Sequence, residues 1–268
     1  MLREKLLSGK LKKHSEQLNK FVAGFFDTDG CAGIALDKKW VKVYAKITQA
    51  ASKDPDFEVM RALQKHYNIG YITYSIPSLE NAASFCDWTM NINDCKKLFN
   101  IIGKHLLVKY NYYKECIFIY DELACTQINR TAYDELKEYF ECFKKQSSFP
   151  RVPKHLSYAY TSGSLAGDGH FRCVKRGNRN ELNVEIHNNS EELVAAFKQS
   201  FRGTYSLNKP NCFKWRRNLG SQNRSFALDF LPKIRKSMLL ITKRNVIDRM
   251  LSFHEPPAET KQDDLFNR

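Results

Sequence analysis

One stretch of this sequence occurs twice, and the two copies lie about half the chain length apart. The first copy reads Phe21-Val-Ala-Gly-Phe-Phe-Asp-Thr-Asp-Gly30, and the second reads Tyr160-Thr-Ser-Gly-Ser-Leu-Ala-Gly-Asp-Gly169. Each copy has a glycine, four further residues and then Asp-Gly, and the acids Asp29 and Asp168 lie 168 − 29 = 139 positions apart in a chain of 268 residues. A repeat of this size predicts one structural unit used twice.

The segments that follow the two copies also correspond. Apolar residues alternate at positions 41, 43, 45 and 47 in the first half and at 182, 184 and 186 in the second. A period of two is typical of a strand with one buried face, and a shorter strand-like run precedes each of these segments. The pattern therefore predicts a hairpin after each copy.

Each predicted hairpin is followed by a helix and then by two more strands. Asp54-Pro55 before residues 57–67 and Ser190-Glu-Glu before residues 193–201 are signals of a helix start. Gly70 and Gly203 suit a left-handed cap at the end of these helices. The sequence thus predicts an α+β fold of two αββαββα repeats, residues 1–148 and 149–268, joined by a proline-bearing linker at 146–153.

Charge and composition narrow the class of partner. The chain carries 43 Lys and Arg against 29 Asp and Glu, a formal net charge of +14. By count, residues 1–149 hold 22 basic and 18 acidic residues and residues 150–268 hold 21 and 11, so the second half is the more basic. A basic chain of this kind is attracted to polyanions, of which nucleic acid is the usual one.

Several protein classes are not expected. No apolar run reaches the roughly 20 residues that span a bilayer, and Met1-Leu-Arg-Glu-Lys lacks the apolar core of a secretory signal. The eight cysteines form no CxxC pair, so we expect reduced thiols and no zinc module. We therefore expect an intracellular protein that does not enter membranes; its compartment stays open, and an organellar address is not excluded.

The two copies resemble the signature motif of the LAGLIDADG homing endonucleases, and the repeat order resembles that family over essentially the whole chain. Val22-Ala-Gly-Phe-Phe-Asp-Thr-Asp-Gly30 is a close match, whereas Thr161-Ser-Gly-Ser-Leu-Ala-Gly-Asp-Gly169 has Ala166 in place of the usual first acid. The resemblance implies two repeats related by a pseudo-twofold axis, with antiparallel sheets that form a saddle on double-stranded DNA. It also implies an enzyme that cuts both strands of a long asymmetric target. Because both motifs lie in one chain we expect a monomer, and strands of about nine residues at about 3.3 Å each predict a target of roughly eighteen base pairs.

The residues of the motif make physical sense on their own. Small residues at Ala23, Gly24, Ser162 and Gly163 allow two helices to pack closely, which leaves Asp29 and Asp168 at adjacent helix C-termini. Carboxylates there are disfavoured by the helix dipoles and by each other, and a divalent cation with a preference for oxygen, such as Mg²⁺, would offset that cost. We therefore predict these acids as metal-binding catalytic residues, with a backbone carbonyl as a further ligand whose residue is not assigned, and Asp27 as a structural acid.

Other site residues follow from the resemblance. Gln49 and Asn188, which end the second strands, and Lys109 and Lys243, which precede the closing helices, are expected around the metals. Lys53 is expected near the first pocket, where the second half has Glu192. Strand parity predicts a DNA-reading face that consists of Lys42, Tyr44, Lys46, Thr48, Thr73, Asp87, Thr89 and Asn91 in the first half, and of His170, Arg172, Arg176, Asn183, Glu185, His187, Lys214, Arg216 and Asn218 in the second.

Other functions remain open at this point. Some proteins of the same fold assist intron splicing as maturases or bind nucleic acid without cutting it, and the degenerate second motif leaves room for this. A plain basic RNA-binding protein would need no metal and would have no long site preference. Because both acids remain, the nuclease is the preferred interpretation. His187-Asn-Asn189 resembles an HNH triplet, but a single triplet is interpreted as the end of a strand.

Overall fold

A computed structural model describes residues 1–13, 15–75, 84–146, 153, 155–176 and 179–254, and excludes the side chains of residues 145, 146, 175, 176, 179 and 180. The first part of the chain consists of α1 (Leu2–Leu7), α2 (Glu16–Asp29), β1 (Gly30–Asp37), β2 (Trp40–Ala50), α3 (Glu58–Tyr67), β3 (Tyr71–Ser75), β4 (Phe85–Met90), α4 (Ile92–Ile102), α5 (Tyr110–Glu122) and α6 (Arg130–Gln146). The second part consists of α7 (Tyr158–Gly167), β5 (Gly169–Arg176), β6 (Arg179–Asn188), α8 (Glu191–Phe201), β7 (Thr204–Lys209), β8 (Cys212–Asn218), α9 (Arg224–Ser237) and α10 (Ile241–Ser252).

The strands form two sheets of the same design. Both are four-stranded and antiparallel, in the orders β1-β2-β4-β3 and β5-β6-β8-β7. Their registers also correspond, since Gly30 faces Ile47 in the first sheet and Gly169 faces Ile186 in the second, each pair shifted by 139 residues. The predicted α+β class and the repeated order of elements are therefore confirmed.

Each sheet buries one face against its own helices. Trp88 and Trp215 hold equivalent positions opposite Ile47 and Ile186, and both are fully buried. A buried indole N–H needs an acceptor, and each donates to a backbone carbonyl, that of Ile69 at 2.7 Å and that of Arg202 at 2.5 Å. The two repeats thus build their cores around matched tryptophans, and each leaves its other sheet face open.

The motif helices α2 and α7 pack against each other with reciprocal contacts. A Cβ added to Gly24 would lie 2.1 Å from the carbonyl oxygen of Tyr160, and one added to Gly163 would lie 1.9 Å from that of Phe21. Shifting each partner by 139 residues turns one contact into the other. Reciprocity of this kind is the property of a twofold interface, so the repeats are related by a pseudo-twofold axis through this helix pair.

Some local predictions were wrong in detail. The left-handed residue that ends α3 is Asn68, two residues before Gly70, while α8 ends at Phe201 and is capped by Arg202 with Gly203 next; both glycines have positive φ. Ser162 faces α9, where its hydroxyl donates to the carbonyl of Ile234 at 3.0 Å. The predicted repeat boundary at 148 and most of the predicted linker lie outside the described residues.

The first residues form a helix that touches both repeats. Leu2 and Leu6 of α1 are buried, Arg3 pairs with Glu58 of α3, and Arg244 of α10 donates to Glu4 at 2.7 Å. Within the described part of the chain, none of the helices has both the length and the apolar composition that crossing a bilayer requires.

Candidate active site and nucleic-acid interface

The two motif acids are held in matching ways. Helix α2 ends at Asp29, and Asp168 directly follows α7. Gln49 donates from Nε2 to Oδ2 of Asp29 at 2.7 Å, and Asn188 donates from Nδ2 to Oδ2 of Asp168 at the same distance. Both amides belong to the strand parity that faces the helices, which is why they reach the helix ends. The structure therefore brings together the four residues that the sequence placed here.

The acids also lie close to each other's helix. A Cβ added to Gly167, the residue before Asp168, would lie 3.0 Å from the carboxyl carbon of Asp29. The pKa of Asp168 is raised, first by its burial and further by the negative charge of Asp29, although the hydrogen bond from Asn188 opposes the shift. The negative charge of Asp29 thus disfavours ionisation of Asp168, and a cation between the two carboxylates would offset this repulsion.

The donor set at this point fits a hard divalent cation. The acids offer carboxylate oxygens, and Gln49 adds a buried Oε1 that lacks a hydrogen-bond partner among the described residues. Oxygen ligands of this kind suit Mg²⁺ or Ca²⁺. No group of three or more His, Cys, Asp or Glu that could hold a metal occurs in the described ranges, so two carboxylates are what these residues contribute.

The two predicted lysines lie at the C-terminal ends of the motif helices, where the acids are also found. Lys109 donates from Nζ to the carbonyls of Phe26 and Thr28 at 3.0 Å each, and to Gly30. Lys243 does the same in the second repeat, with Ala166 at 2.6 Å and Gly169 at 2.8 Å among its acceptors. A cation there compensates the negative end of the helix dipole. Lys243 lies inside the first turn of α10 rather than before the helix.

Burial disfavours the charge on both lysines. It lowers the pKa of Lys109, an effect that the negative charge of Asp27 opposes. It lowers the pKa of Lys243 to about 7, with a further contribution from the positive charge of Lys53. The carbonyl cages explain why these side chains stay in place. Their participation in phosphate chemistry remains a prediction.

Lys53 crosses from the first repeat to the second. Its Nζ donates to the carbonyl of Gly167 at 2.9 Å and lies 3.5 Å from Oδ2 of Asp29. Thr242 donates to its backbone carbonyl at 2.6 Å. The equivalent position in the second repeat is Glu192, which accepts from the Ser190 hydroxyl at 3.2 Å at the start of α8. The two halves of the site therefore differ in charge. The sequence indicated Lys53 in the first pocket but gave no sign of the contact with Gly167.

Asp27 has the structural position that the sequence predicted. It is buried and accepts from the backbone N–H groups of Leu107 and Lys109 at 2.8 Å each, and from the Tyr160 hydroxyl at 2.7 Å. Burial raises its pKa, and these hydrogen bonds oppose the shift. Asp27 thereby fixes the segment that carries Lys109. Tyr160, which comes from the second motif, was missed as a partner.

The open sheet faces carry most of the predicted DNA-reading residues. The alternation of burial leaves Lys42, Tyr44, Lys46 and Thr48 of β2 on the side away from the helices, together with Thr73, Asp87 and Thr89. In the second sheet His170, Arg172, Glu185, His187, Lys214 and Arg216 take the corresponding side. The side chain of Arg176 lies outside the described residues.

Three asparagines of that set behave differently from the expectation. Asn183 is only 1% exposed, and its amide donates to Glu181 at 3.0 Å. Asn91 comes after β4 and caps α4 by accepting from the N–H of Asp94 at 3.1 Å. Asn218 accepts from the N–H of Gly220 at 2.7 Å in a turn.

One residue of the open face was missed. Glu181 accepts from Arg216 at 2.8 Å and lies 3.7 Å from Arg172, so it holds two guanidinium groups. It has the strand parity of Glu185 and His187, which is the signal that would have found it. The position that matches Arg172 in the first sheet is Gly33, and the Tyr44 ring lies over it, where an added Cβ would be 2.8 Å from the phenol oxygen.

Comparison with known proteins adds information at the level of structure. No protein-family model and no curated protein matches the sequence. Among solved structures, the LAGLIDADG homing endonuclease I-GzeII in complex with its DNA target is 15% identical, with 88% of this chain and 89% of that chain covered and a TM-score of 0.65. I-SmaMI, bound to uncleaved DNA target in the presence of calcium ions, is 13% identical over 88% and 90%, with a TM-score of 0.64. I-CpaMI bound to uncleaved DNA is 15% identical over 87% and 90%, with a TM-score of 0.60.

The chain has the fold of single-chain LAGLIDADG homing endonucleases. The fold expected from the motifs is thereby confirmed over nearly the whole length. In this LAGLIDADG fold the two motif helices pack against each other between the repeats. The acids lie at the C-terminal ends of these helices, where the first strand of each open sheet begins.

Proposed function

We propose that the protein is a site-specific DNA endonuclease that makes a Mg²⁺-dependent double-strand break in a long, asymmetric target. The observation that carries the proposal is the matched pair of carboxylates, Asp29 and Asp168, each held by a strand-end amide at 2.7 Å where two sheets with polar open faces meet. The solved structures of similar fold include complexes with DNA, which supports DNA as the partner here.

Each part of the site has a stated role in this proposal. Asp29 and Asp168 hold divalent cations, and Gln49 and Asn188 fix the orientation of their carboxylates. A divalent cation bound by these residues would supply Lewis-acid stabilisation of the phosphate charge. Lys53, whose ammonium lies 3.5 Å from Asp29, adds positive charge beside the scissile phosphate.

The size of the target follows from the strands. β2 has 11 residues and β6 has 10. At about 3.3 Å per residue each spans roughly 33–36 Å, the length of about ten base pairs. We propose that the repeats, residues 1–148 and 149–268, each bind one half-site of a total of about twenty base pairs. Because the side chains on the two open faces differ, the half-sites differ too.

The test is cleavage of DNA by the purified chain. A plasmid library with a randomised insert is incubated with Mg²⁺, with Ca²⁺ or with a chelator, and linear products are sequenced. We expect cuts within one long sequence in Mg²⁺ only, and specific binding without cutting in Ca²⁺. Specific binding with no cleavage in any divalent metal would instead favour a maturase or a pure binding protein of this fold. Absence of any DNA preference would refute the proposal.

A further inference from the structure

The two sheets carry the same ion pair with the charges exchanged. In the first sheet Lys46 on β2 pairs with Asp87 on β4, with Nζ 3.2 Å from Oδ2. In the second sheet the acid is on β6 and the lysine is on β8, with Oε2 of Glu185 2.8 Å from Nζ of Lys214. Cation and anion have therefore changed strands between the repeats.

The strand registers establish that these positions are equivalent. Lys46 faces Cys31 on β1, two residues after Asp29, and Glu185 faces His170 on β5, two residues after Asp168. Asp87 faces Thr48 on β2, and Lys214 faces His187 on β6. Lys46, Cys31 and Thr48 correspond to Glu185, His170 and His187 at the offset of 139 residues, and the register makes Lys214 the equivalent of Asp87.

Both pairs are on the open faces and are partly accessible. The side chains are 37% and 17% exposed for Lys46 and Asp87, and 22% and 20% for Lys214 and Glu185. Each acid also has a neighbour besides the lysine: Thr48 of β2 donates to Asp87 of β4 at 2.5 Å, and on β6 Nε2 of His187 lies 3.6 Å from Glu185. The four charged groups are thus paired on the open faces.

Each ion pair has hydrogen-bond donors and acceptors that can serve both bases of one base pair. In the major groove guanine offers the acceptors N7 and O6, and the paired cytosine offers an N4 donor beside them. An ammonium has three donors and a carboxylate about four acceptor sites, so a bonded Lys–acid pair keeps capacity for both bases. Neighbouring strands lie about 4.8 Å apart, so the cation and the anion of one pair start from separate strands and can approach different bases.

We propose that each ion pair reads one G·C base pair, and that the exchange puts both guanines on the same DNA strand. This rests on the proposed function. Under the twofold axis β2 meets one DNA strand and β6 meets the other. With like charges at Lys46 and Glu185, the guanines would fall on opposite strands, as in a palindrome. Because the charges are opposite, Lys46 selects guanine on the DNA strand that β2 meets, and Glu185 selects cytosine on the DNA strand that β6 meets. The guanine that pairs with this cytosine then lies on the same DNA strand as the guanine that Lys46 selects.

The experiment measures base preference by sequencing DNA that is selected from a randomised library in Ca²⁺. For the unchanged chain we expect guanine on one strand at both symmetry-related positions. In the variant Lys46→Glu with Asp87→Lys, which copies the order of the second repeat, we expect the first position to change from G·C to C·G. The second position should keep its preference, and each change should amount to roughly tenfold in relative affinity.

Controls separate this inference from the proposed function. Glu185→Lys with Lys214→Glu should reverse the second position alone, and it provides an independent test if the first variant folds poorly. Arg130→Asp with Asp134→Arg exchanges an exposed pair, 3.1 Å apart on α6, and should change neither position. Unchanged preferences in a folded exchange variant, or guanines on opposite strands, would overturn the inference and leave the endonuclease standing. No DNA preference at all would remove both.

Discussion

At the scale of single residues, the catalytic assignment makes Asp29 and Asp168 the first targets. Replacing either with Asn keeps the size of the side chain and removes the charge that binds a cation. We expect double-strand cleavage to fall by at least about a thousandfold, while DNA affinity in Ca²⁺ stays within a fewfold because the sheets make most contacts.

The stability of these two variants determines how a loss of cleavage is interpreted. Asp168 is partly buried and its pKa is raised by burial and by Asp29, so losing the charge should leave the metal-free protein as stable as before or slightly more stable. Thermal unfolding in chelator, measured beside cleavage and binding, checks this. Full cleavage by both single variants would disprove the assignment.

Asp27 should behave in the opposite way. It accepts two backbone N–H groups and the Tyr160 hydroxyl in a buried place, and Asn offers one carbonyl oxygen for these three donors. We expect Asp27→Asn to lower the free energy of unfolding by roughly 1–3 kcal/mol. Urea unfolding measures the loss, and Tyr160→Phe, which removes one of the three donors, should cost less. A stable Asp27→Asn variant that has lost cleavage would indicate a chemical role instead.

At the residue level, the repeat and the resemblance placed Gln49 and Asn188 beside the motif acids. In the structure each donates to its acid at 2.7 Å, because both lie on the helix-facing parity of their strands. Prediction failed where another element decides. Alternation puts Asn183 on the open face, yet its side chain is only 1% exposed, and the reach of Lys53 to Gly167 depends on how the repeats dock. Neither relation is encoded in local pattern.

At the scale of elements, the α2–α7 pair is the most constrained contact. A methyl group on Gly24 or Gly163 would meet backbone oxygen at 2.1 and 1.9 Å, which no side-chain rotation relieves. We expect Gly24→Ala and Gly163→Ala each to destabilise the fold by about 1–3 kcal/mol or more. Gly103→Ala is a matched control, because its Cβ would meet only the Phe99 ring at 3.3 Å. Equal melting temperatures for all three variants would contradict the close helix contact.

Element order was predictable because the strands alternate and the helices begin with capping residues. Ser190 accepts from the N–H of Leu193 at 3.2 Å, as its position before two acids suggested. The start of α3 is less regular: Asp54 accepts from Val59 and Met60, and the chain first passes through a short turn with positive φ at Asp56 and Phe57. Non-glycine residues with positive φ carry little sequence signal, so the sequence did not predict this turn.

At the scale of the whole molecule, both motifs lie in one chain and already occupy each other's surface. A second copy has no free motif helix to pack against, so we predict a monomer in solution and on DNA. Sedimentation velocity should give the mass of one chain, 31.2 kDa, across micromolar concentrations. A concentration-independent dimer in the absence of DNA would contradict the prediction.

The distribution of charge leads to a more specific expectation about salt. The chain has a net charge of +14, so DNA binding should weaken steeply between 50 and 200 mM salt. On the open faces, however, acids accompany the cations: Asp37 pairs with Lys42, Asp87 with Lys46, and Glu185 with Lys214. These ion-paired groups are better suited to contacting bases than to neutralising phosphates. Most of the counterions that DNA releases on binding must therefore be displaced by basic residues outside these pairs.

Glu181 tests this division because it neutralises two arginines at once. Glu181→Gln keeps the shape and frees positive charge on Arg172 and Arg216. We expect the affinity for unrelated DNA to rise and the slope of log K against log salt to steepen by about one. Glu181→Asp, which keeps the charge, is the control, and anisotropy titrations at several salt concentrations give the slopes. Identical slopes for the wild-type chain and Glu181→Gln would mean that Arg172 and Arg216 already contact phosphates in the unchanged protein.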